Sequence, residues 1–318
     1  MRCLIVQPVH QAGLALLREA GIEPVSCASP DMTKVARAIE GCDAVITRDA
    51  GLSRAAIEAA DRLRVVVVHG TGHDAVDKEA ASEHGVLVCN TPGRNTRSVA
   101  ELALGLALAA ARSISAADRA ERAGAHGFRN AGRFTELSGK TALIVGWGAV
   151  GSSLGRMLGA ALDMEVLALS RTPRDLGGAR AVATLAEGLA CADLVSLHAP
   201  LTDETRGLIG REALAAIKSG AILVNTARAG LVDEDALALA LADGRVAAAG
   251  LDVASPRAAT GPLAAFPTVI FTPHLGGTTE EALRRVAVAA AQTVVDSLAG
   301  ERPASAINDP AGAWPWPR

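Results

Sequence analysis

A glycine-rich turn carries the strongest chemical signal in this 318-residue sequence. Three glycines spaced as G-x-G-x-x-G follow an apolar run at residues 141–145, which is predicted to be a strand, and open a predicted helix. In such a strand–turn–helix unit the glycines allow a tight turn and let backbone N–H groups approach a pyrophosphate at the helix N-terminus. The segment therefore predicts a dinucleotide site. The residues assigned to it are Gly146, Gly148, Ala149, Val150 and Gly151.

The end of the next predicted strand, residues 165–169, bears on which dinucleotide is bound. An Asp or Glu about 20 residues after the turn typically binds the ribose of NAD. Ser170, Arg171 and Thr172 stand here instead. A guanidinium binds phosphate with two parallel hydrogen bonds, and hydroxyl groups can add others. We therefore predict a preference for NADP(H), with NAD(H) also possible; the other interpretation of Arg171 is an ordinary solvated charge.

Several further segments along the chain form a set whose joint order and spacing is far more specific than any single segment. With the glycine turn, they resemble the D-isomer-specific 2-hydroxyacid dehydrogenases over almost the whole chain. The matching segments are His69-Gly-Thr-Gly72, Asn90-Thr-Pro-Gly93, Ser98-Val-Ala-Glu101, His198-Ala-Pro-Leu-Thr202, Leu223-Val-Asn-Thr-Ala-Arg228, Gly250-Leu-Asp252 and Thr272-Pro-His274-Leu-Gly-Gly277.

This resemblance implies that Arg228 and His274 are the catalytic residues. The guanidinium of Arg228 would bind the substrate carboxylate and polarise the ketone. His274 would protonate the developing alkoxide, or deprotonate the alcohol in the reverse direction, because imidazole exchanges a proton near neutral pH. The residues implied to bind the substrate are Arg48, Gly70, Thr71 and Gly72.

The same resemblance completes the expected cofactor site. Asp252 would lie near the nicotinamide carboxamide, Thr226 and Ala227 would line the ribose side, and His198 would pack near the cofactor. The remaining implied cofactor residues are Pro200, Thr205, Gly276 and Gly277. No metal site is expected, because the cysteines show no tight ligand spacing.

Two positions depart from the family pattern. The family has a Glu five residues after the Asp252 equivalent that hydrogen-bonds the catalytic His. Arg257 stands there, and residues 253–279 contain no Asp or Glu. Since an anionic neighbour favours imidazolium, we expect ketone reduction to lose rate at a lower pH than in typical members, or the enzyme to be weaker.

Asp49 adds an anion to a substrate loop. It either binds a substrate hydroxyl or caps the helix near Leu52, and it makes a phosphorylated substrate less attractive.

The elements that must position these residues alternate between short Val/Ile/Leu runs and longer Ala-rich amphipathic stretches. This alternation predicts an α/β fold with two Rossmann-like or flavodoxin-like domains built on parallel sheets. We predict a substrate-binding domain at residues 1–98 plus 284–318 and a dinucleotide-binding domain at 99–283. The resemblance places cofactor and substrate in the cleft between them. The ten predicted strands are 2–6, 44–47, 65–68, 87–89, 141–145, 165–169, 194–197, 222–225, 247–251 and 269–271.

Composition excludes several other classes of protein. The chain has 31 basic and 34 acidic side chains and a net charge of −3, so we expect no nucleic-acid or membrane partner. Its longest apolar stretch, 102–111, is about half the ~20 residues of a membrane span. Five scattered cysteines argue against a disulfide scaffold and, with no signal-peptide layout at the start, predict a cytoplasmic protein.

These observations predict an oxidoreductase that transfers a hydride between NADP(H) and a small 2-keto acid, of the glyoxylate or hydroxypyruvate type, to give the D-2-hydroxy acid. Residues 98–119 resemble the family's dimer helix, so we expect a homodimer. Because the partner Glu is missing, the alternative is a catalytically weak, dinucleotide-sensing binding protein of the same fold. Trp314 and Trp316 either cover a neighbouring subunit or are disordered.

Overall fold

The computed structural model describes residues 1–130, 132, 134–171 and 175–310, and it divides the chain into two compact units. The first unit comprises Met1–Asn95 and the chain from Gly277 onward, and the second comprises Thr96–Gly276. The sequence placed these divisions after residues 98 and 283, a few residues later in each case. Thr172, Trp314 and Trp316 lie outside the described residues.

The first unit is built on a five-stranded parallel sheet of order β2-β1-β3-β4-β5. The central strands β3 and β4 are buried along their whole length, because helices cover both faces. Helices α1 and α11 pack together on one face, and α2, α3 and α4 cover the other. The strands are β1 (Arg2–Ile5), β2 (Glu23–Ser26), β3 (Ala44–Thr47), β4 (Val65–Val68) and β5 (Leu87–Cys89), and the helices are α1 (Gln11–Glu19), α2 (Met32–Ala38), α3 (Arg54–Glu58), α4 (Lys78–Glu83) and α11 (Glu280–Ala299).

The second unit is built on a seven-stranded parallel sheet of order β12-β11-β10-β9-β6-β7-β8. Helices α5 and α7 pack on one face, and α8, α9 and α10 cover the other. The strands are β6 (Thr141–Val145), β7 (Glu165–Leu169), β8 (Arg180–Ala181), β9 (Leu194–Leu197), β10 (Ala221–Asn225), β11 (Val246–Leu251) and β12 (Val269–Phe271), and the helices are α5 (Thr96–Ala111), α6 (Ile114–Arg122), α7 (Ala149–Leu162), α8 (Leu185–Cys191), α9 (Arg211–Ala216) and α10 (Glu234–Ala242).

The predicted fold class is confirmed, since both sheets are parallel and covered by helices. All ten predicted strands are present with bounds within one residue. The sequence reasoning missed β2 and β8, which each occupy an outer edge of a sheet. Parallel strands end at one common edge, and the segments predicted to hold the site follow strand ends in both units.

Among the described residues, no single helix is long and apolar enough to cross a membrane. Helices α5 and α6 reach that length and composition only when taken together, and they are bent by 60° at the break between them. Within the second unit, α5 packs its buried face on α7 and on strands β10 and β11.

Candidate active site

The three glycines of the turn after β6 have different structural roles. Gly146 has a φ of +100°, and a Cβ atom there would lie 2.7 Å from the backbone nitrogen of Ala199. A Cβ atom at Gly151 would overlap the carbonyl oxygen of Gly146. A Cβ atom at Gly148 would have no neighbour within 4 Å. Packing therefore requires glycine at the first and third positions, whereas the second leaves open space in front of the helix.

That open space lies at the N-terminus of α7. Gly148 is the N-cap residue and offers no side chain to the first-turn N–H groups, which begin at Ala149 and Val150. Uncapped first-turn N–H groups and the helix dipole favour an anion. The turn can thus hold the pyrophosphate of a dinucleotide, as the sequence predicts.

The loops after β7 and β9 meet through an ion pair. Arg171 Nη1 lies 2.9 Å from Glu204 Oε2, and the two side chains are 69% and 77% exposed. Exposed ion pairs contribute about 0–1 kcal/mol, so an anionic ligand could compete for this guanidinium. Ser170 precedes Arg171 at the end of β7.

The loop after β9 is held by internal hydrogen bonds. Thr205 Oγ1 donates to the Pro200 carbonyl (2.7 Å) and accepts from the Thr202 N–H (2.8 Å), so this hydroxyl shapes the loop. His198 Nε2 lies 2.9 Å from Ser196 Oγ, and the His198 N–H donates to the Val145 carbonyl at the end of β6. Burial lowers the pKa of His198 to about 4, so its imidazole is neutral at physiological pH.

Asn225 shapes the turn that presents Arg228. Its side chain donates to the Arg228 carbonyl (2.8 Å) and accepts from the Ala227 N–H (3.0 Å). Arg228 Nη1 also donates to the Ala227 carbonyl at 2.7 Å. Thr226 Oγ1 is buried without a hydrogen-bond partner, which is costly in the ligand-free protein and suits a site that receives a ligand hydroxyl.

Asp252 organises the loop that carries His274. This carboxylate is 1% exposed. It accepts hydrogen bonds from Thr272 Oγ1 (2.6 Å), the Leu275 N–H (2.7 Å) and the Gly276 N–H (2.9 Å). The backbone N–H of His274 donates to the Asp252 carbonyl at 2.9 Å.

His274 itself has an unusual backbone and an exposed side chain. Its φ of +55° lies in the left-handed region, which only a few per cent of non-glycine residues adopt and which Ser113 and Asp163 share among the described residues. Ser98 Oγ donates to the Gly276 carbonyl at 2.6 Å and fixes the far end of the same loop.

In the first unit, the predicted substrate loops are held by residues at neighbouring strand ends. Gln7 Oε1 accepts from the backbone N–H groups of Arg48 (3.2 Å) and Ala50 (2.9 Å). The Gly70 N–H donates to Thr91 Oγ1 at 2.8 Å, and Asn90 Nδ2 donates to the Thr71 carbonyl at 2.8 Å.

Two other predicted features of the first unit can be placed. The α3 helix is capped by Ser53, whose hydroxyl accepts from Ala56 N, so Asp49 is not its N-cap and that alternative was wrong. Gly277 is predicted to bind cofactor, yet it belongs to the first unit, where a Cβ atom would lie 2.8 Å from the Asn95 side chain.

The structure therefore groups the described site residues by unit. Those of the first unit lie on loops at the carboxyl edge of its sheet: Arg48, Gly70, Thr71 and Gly72. Those of the second unit follow the ends of β6, β7, β9, β10, β11 and β12: Gly146, Gly148, Ala149, Val150, Gly151, Ser170, Arg171, His198, Pro200, Thr205, Thr226, Ala227, Arg228, Asp252, His274 and Gly276.

Comparisons with known proteins identify the family of this chain. Residues 104–276 match the family model described as D-isomer specific 2-hydroxyacid dehydrogenase, NAD binding domain. The D-3-phosphoglycerate dehydrogenase of Mycobacterium leprae is 41% identical over 311 residues, which cover 96% of this chain and 58% of that protein. The chain belongs to the D-isomer specific 2-hydroxyacid dehydrogenase family.

Solved structures show the same fold. The TT0316 protein of Thermus thermophilus superimposes with a TM-score of 0.85 at 34% identity, covering 97% of this chain and all of that one. The NAD+-bound 3-phosphoglycerate dehydrogenase of Entamoeba histolytica gives a TM-score of 0.84 at 26% identity, covering 97% and 99%. By contrast, this chain spans between half and three fifths of the length of the curated relatives it matches.

The residues of this dehydrogenase-family chain fit a nicotinamide dinucleotide on two structural observations. Open space at Gly148 and an uncapped helix N-terminus suit its pyrophosphate. The buried, unpartnered hydroxyl of Thr226 suits a ribose hydroxyl.

Sequence reasoning missed four residues that hold the site. Gln7 and Asn225 close the turns that present the two site arginines, and Glu204 pairs with Arg171. Glu234 accepts from the Ser255 N–H (2.6 Å) and hydroxyl (2.5 Å), so it anchors the segment that leads to Arg257. An Asn at the end of a strand, as Asn225 is in β10, is a typical side-chain-to-backbone turn signal and could have been found. The other three carry no local signal.

Two alanine substitutions should separate cofactor binding from stability. Gly151→Ala should lower the free energy of unfolding by about 2–4 kcal/mol, because a Cβ atom overlaps the Gly146 carbonyl. Gly148→Ala should change stability by less than about 1 kcal/mol, yet weaken dinucleotide affinity at least about tenfold by filling the open space. Urea denaturation and cofactor titration measure the two effects. Equal stability loss in both variants would contradict this assignment.

His69, directly before Gly70, should make the protein less stable in acid. Burial and the nearby Arg48 lower its pKa to about 4, and the side chain is 8% exposed. His69 binds a proton near pH 6.5 in the unfolded chain but only near pH 4 in the folded chain. The contribution of this group to stability is therefore complete above pH 6.5 and is lost as the pH falls towards 4. The loss from this group is up to about 3 kcal/mol. His198 acts in the same direction. Urea denaturation at several pH values should give a flatter curve for His69→Gln than for the unchanged protein; identical curves would contradict the prediction.

Proposed function

We propose that the protein is an oxidoreductase that transfers a hydride between a nicotinamide dinucleotide and a small 2-keto acid, giving the D-2-hydroxy acid. The observation that carries the proposal is the grouping of Arg228, His274 and the open turn at Gly148 at the carboxyl edge of one sheet. Open α/β sheets bind ligands at this edge.

The chain's own residues bind the substrate carboxylate, polarise the ketone and transfer the proton. Arg228 binds the substrate carboxylate and draws electron density from the ketone oxygen, because a guanidinium offers paired donors to an anion. His274 delivers its proton to that oxygen as the alkoxide forms, and takes it back in the reverse direction. The bound nicotinamide supplies or accepts the hydride. Asp252 keeps the His274 loop in one conformation, so little reorganisation precedes proton transfer.

We propose a preference for NADP(H) over NAD(H). Ser170 and Arg171 follow β7 where an acidic side chain would favour the ribose of NAD. The exposed pair between Arg171 and Glu204 is weak enough for a 2′-phosphate to compete. The relative from Entamoeba histolytica was solved with NAD+ bound, which argues against this preference for NADP(H).

We propose an unphosphorylated substrate such as glyoxylate or hydroxypyruvate, because Asp49 adds negative charge beside Arg48 in the substrate loop. The curated relatives named D-3-phosphoglycerate dehydrogenase support a second candidate, the corresponding phosphorylated keto acid. A third candidate is a dinucleotide-sensing binding protein with little turnover, since Arg257 replaces the family's Glu.

We also propose a cytoplasmic homodimer that associates through residues 98–119. Leu108 and Ile114 are 36% and 53% exposed in this region, and two such apolar side chains favour a subunit contact. The five cysteines are all free, as in a reducing compartment. Light scattering of the unchanged protein and of a Leu108→Glu variant tests the dimer; a monomer in both would refute it.

A turnover assay tests the reaction and the cofactor together. Nicotinamide absorbance is followed with NADPH and, separately, NADH over glyoxylate, hydroxypyruvate, pyruvate and 3-phosphohydroxypyruvate. We expect turnover of the unphosphorylated acids with a higher kcat/KM for NADPH. Higher kcat/KM with NADH would overturn the cofactor preference alone. Tight cofactor binding with no turnover would favour the sensor.

Arg257→Glu should extend reduction to higher pH. By the family resemblance position 257 faces the catalytic imidazole, and a carboxylate there would favour its protonated form, which ketone reduction consumes. The falling limb of the kcat-against-pH profile should therefore move upward by about one pH unit, since one unit corresponds to about 1.4 kcal/mol of interaction. Arg257→Gln is the matched control that removes the cation without adding an anion. A profile for Arg257→Glu that matches the Gln variant would show that position 257 does not reach His274.

A further inference from the structure

A concave surface of the first unit is rich in arginine. This open depression has a volume of about 460 Å³ and lies between the loop before α5 and the solvent face of α11. Its lining residues are Arg94, Arg284, Arg285, Val288, Ala289 and Gln292. Five of them lie on α11, and Arg94 lies in the loop between β5 and α5.

The three guanidinium groups have no carboxylate partner within the described part of the chain. Some exposed arginines elsewhere are paired, such as Arg54 with Glu83 at 2.6 Å and Arg171 with Glu204 at 2.9 Å. Others, such as Arg18, have no ion pair among the described residues, so the distinguishing feature of this surface is that three unpaired guanidinium groups lie around one volume. Three unpaired like charges around one cavity repel one another. An anion in the cavity would relieve that repulsion.

The cavity is also partly organised before any ligand arrives. Arg285 Nε donates to the Arg94 carbonyl at 3.0 Å, which joins the loop to the helix. Gln292 Nε2 donates to Asp296 Oδ1 at 2.7 Å, and Glu280 binds His10 at 2.9 Å. These two carboxylates and Glu281 lie on α11 but do not line the cavity.

We propose that this arginine cavity, formed by the six residues above, binds a small anion carrying at least two phosphate or carboxylate groups. Planar guanidinium groups bind such oxygens in pairs, and two or three of them around one volume favour a polyanion over a single carboxylate. Val288 and Ala289 give it an apolar wall that can cover a short carbon skeleton. The site is separate from the substrate-binding role proposed for Arg48 and Arg228.

Calorimetric titration with inorganic pyrophosphate and, separately, citrate tests this site. The titration uses the full chain with NADH or NADPH at saturating concentration, so that the glycine turn is filled and does not bind the probe. We expect saturable binding of at least one probe to the unchanged protein, and at least tenfold weaker binding to the double variant Arg284→Ser/Arg285→Ser. Pyrophosphate and citrate distinguish a phosphate ligand from a carboxylate ligand.

The matched control is Arg18→Ser/Arg37→Ser, which removes two exposed charges from other helices of the same unit and should bind like the unchanged protein. Circular dichroism verifies folding, and Arg94→Ser replaces the double variant if that protein unfolds. No binding to the unchanged protein, or equal weakening in the control, would overturn the proposal. A change of oligomeric state in the double variant without probe binding would assign the arginines to a subunit contact and also overturn it.

Discussion

His274→Ala is expected to reduce kcat for ketone reduction about one hundred- to ten thousand-fold while leaving cofactor affinity within about twofold. In the proposed reaction the imidazole donates the proton to the substrate oxygen, and its side chain is exposed on a loop held by Asp252. Removing it takes away proton transfer and leaves the loop's backbone hydrogen bonds in place. Steady-state kinetics with the preferred keto acid, together with cofactor titration, measure the two quantities.

His84→Ala is the matched control for that variant. His84 lies at the end of α4 in the first unit, where its Nδ1 contacts the Ala80 carbonyl at 2.9 Å. This change should leave kcat within about twofold. If the His274→Ala enzyme kept its rate, hydride transfer would proceed without a general acid. The substrate would then belong to a class of hydride donor other than the 2-hydroxy acids.

Asp252→Ala is expected to lower both stability and activity. The substitution leaves the Leu275 and Gly276 N–H groups and the Thr272 hydroxyl without their acceptor. Each unsatisfied buried donor costs about 1–3 kcal/mol, so the free energy of unfolding should fall by about 3–5 kcal/mol. The left-handed backbone of His274 then loses its support, and kcat should fall at least about tenfold. Urea denaturation and steady-state kinetics give both values.

Asp203→Ala provides the comparison, because Asp203 is exposed in the loop after β9 and its loss should be nearly neutral. Asp252→Asn keeps the shape but can no longer accept from all three donors, so it should fall between the two. If Asp252→Ala unfolded at the same urea concentration as Asp203→Ala, the carboxylate would not be the anchor of the loop.

Most of the fold could be predicted because both sheets are parallel and buried. Strands such as Val65–Val68 read as continuous apolar runs. The two missed strands lack that signal for physical reasons. Glu23–Ser26 contains a proline and sits at a sheet edge, where a missing N–H is tolerated. Arg180–Ala181 contains only two residues, and both are exposed.

The site could be predicted only where chemistry is tied to a local motif. Glycine spacing located the turn at Gly146, and the order of matching segments located Arg228 and His274. The polar side chains that hold these groups act over long sequence separations: Gln7 lies 41 residues from Arg48, and Glu204 lies 33 residues from Arg171. Folding brings such pairs together, and no local pattern marks them.

The configuration of the product tests whether this protein is a D-specific 2-hydroxyacid dehydrogenase. Hydroxypyruvate is incubated with the 318-residue chain and NADPH or NADH, and the glycerate formed is resolved on a chiral column. We expect D-glycerate alone, with at least about one hundred times less formed by the His274→Ala variant over the same time. L-glycerate, a racemic product, or no hydroxy acid from any of the keto acids would contradict it.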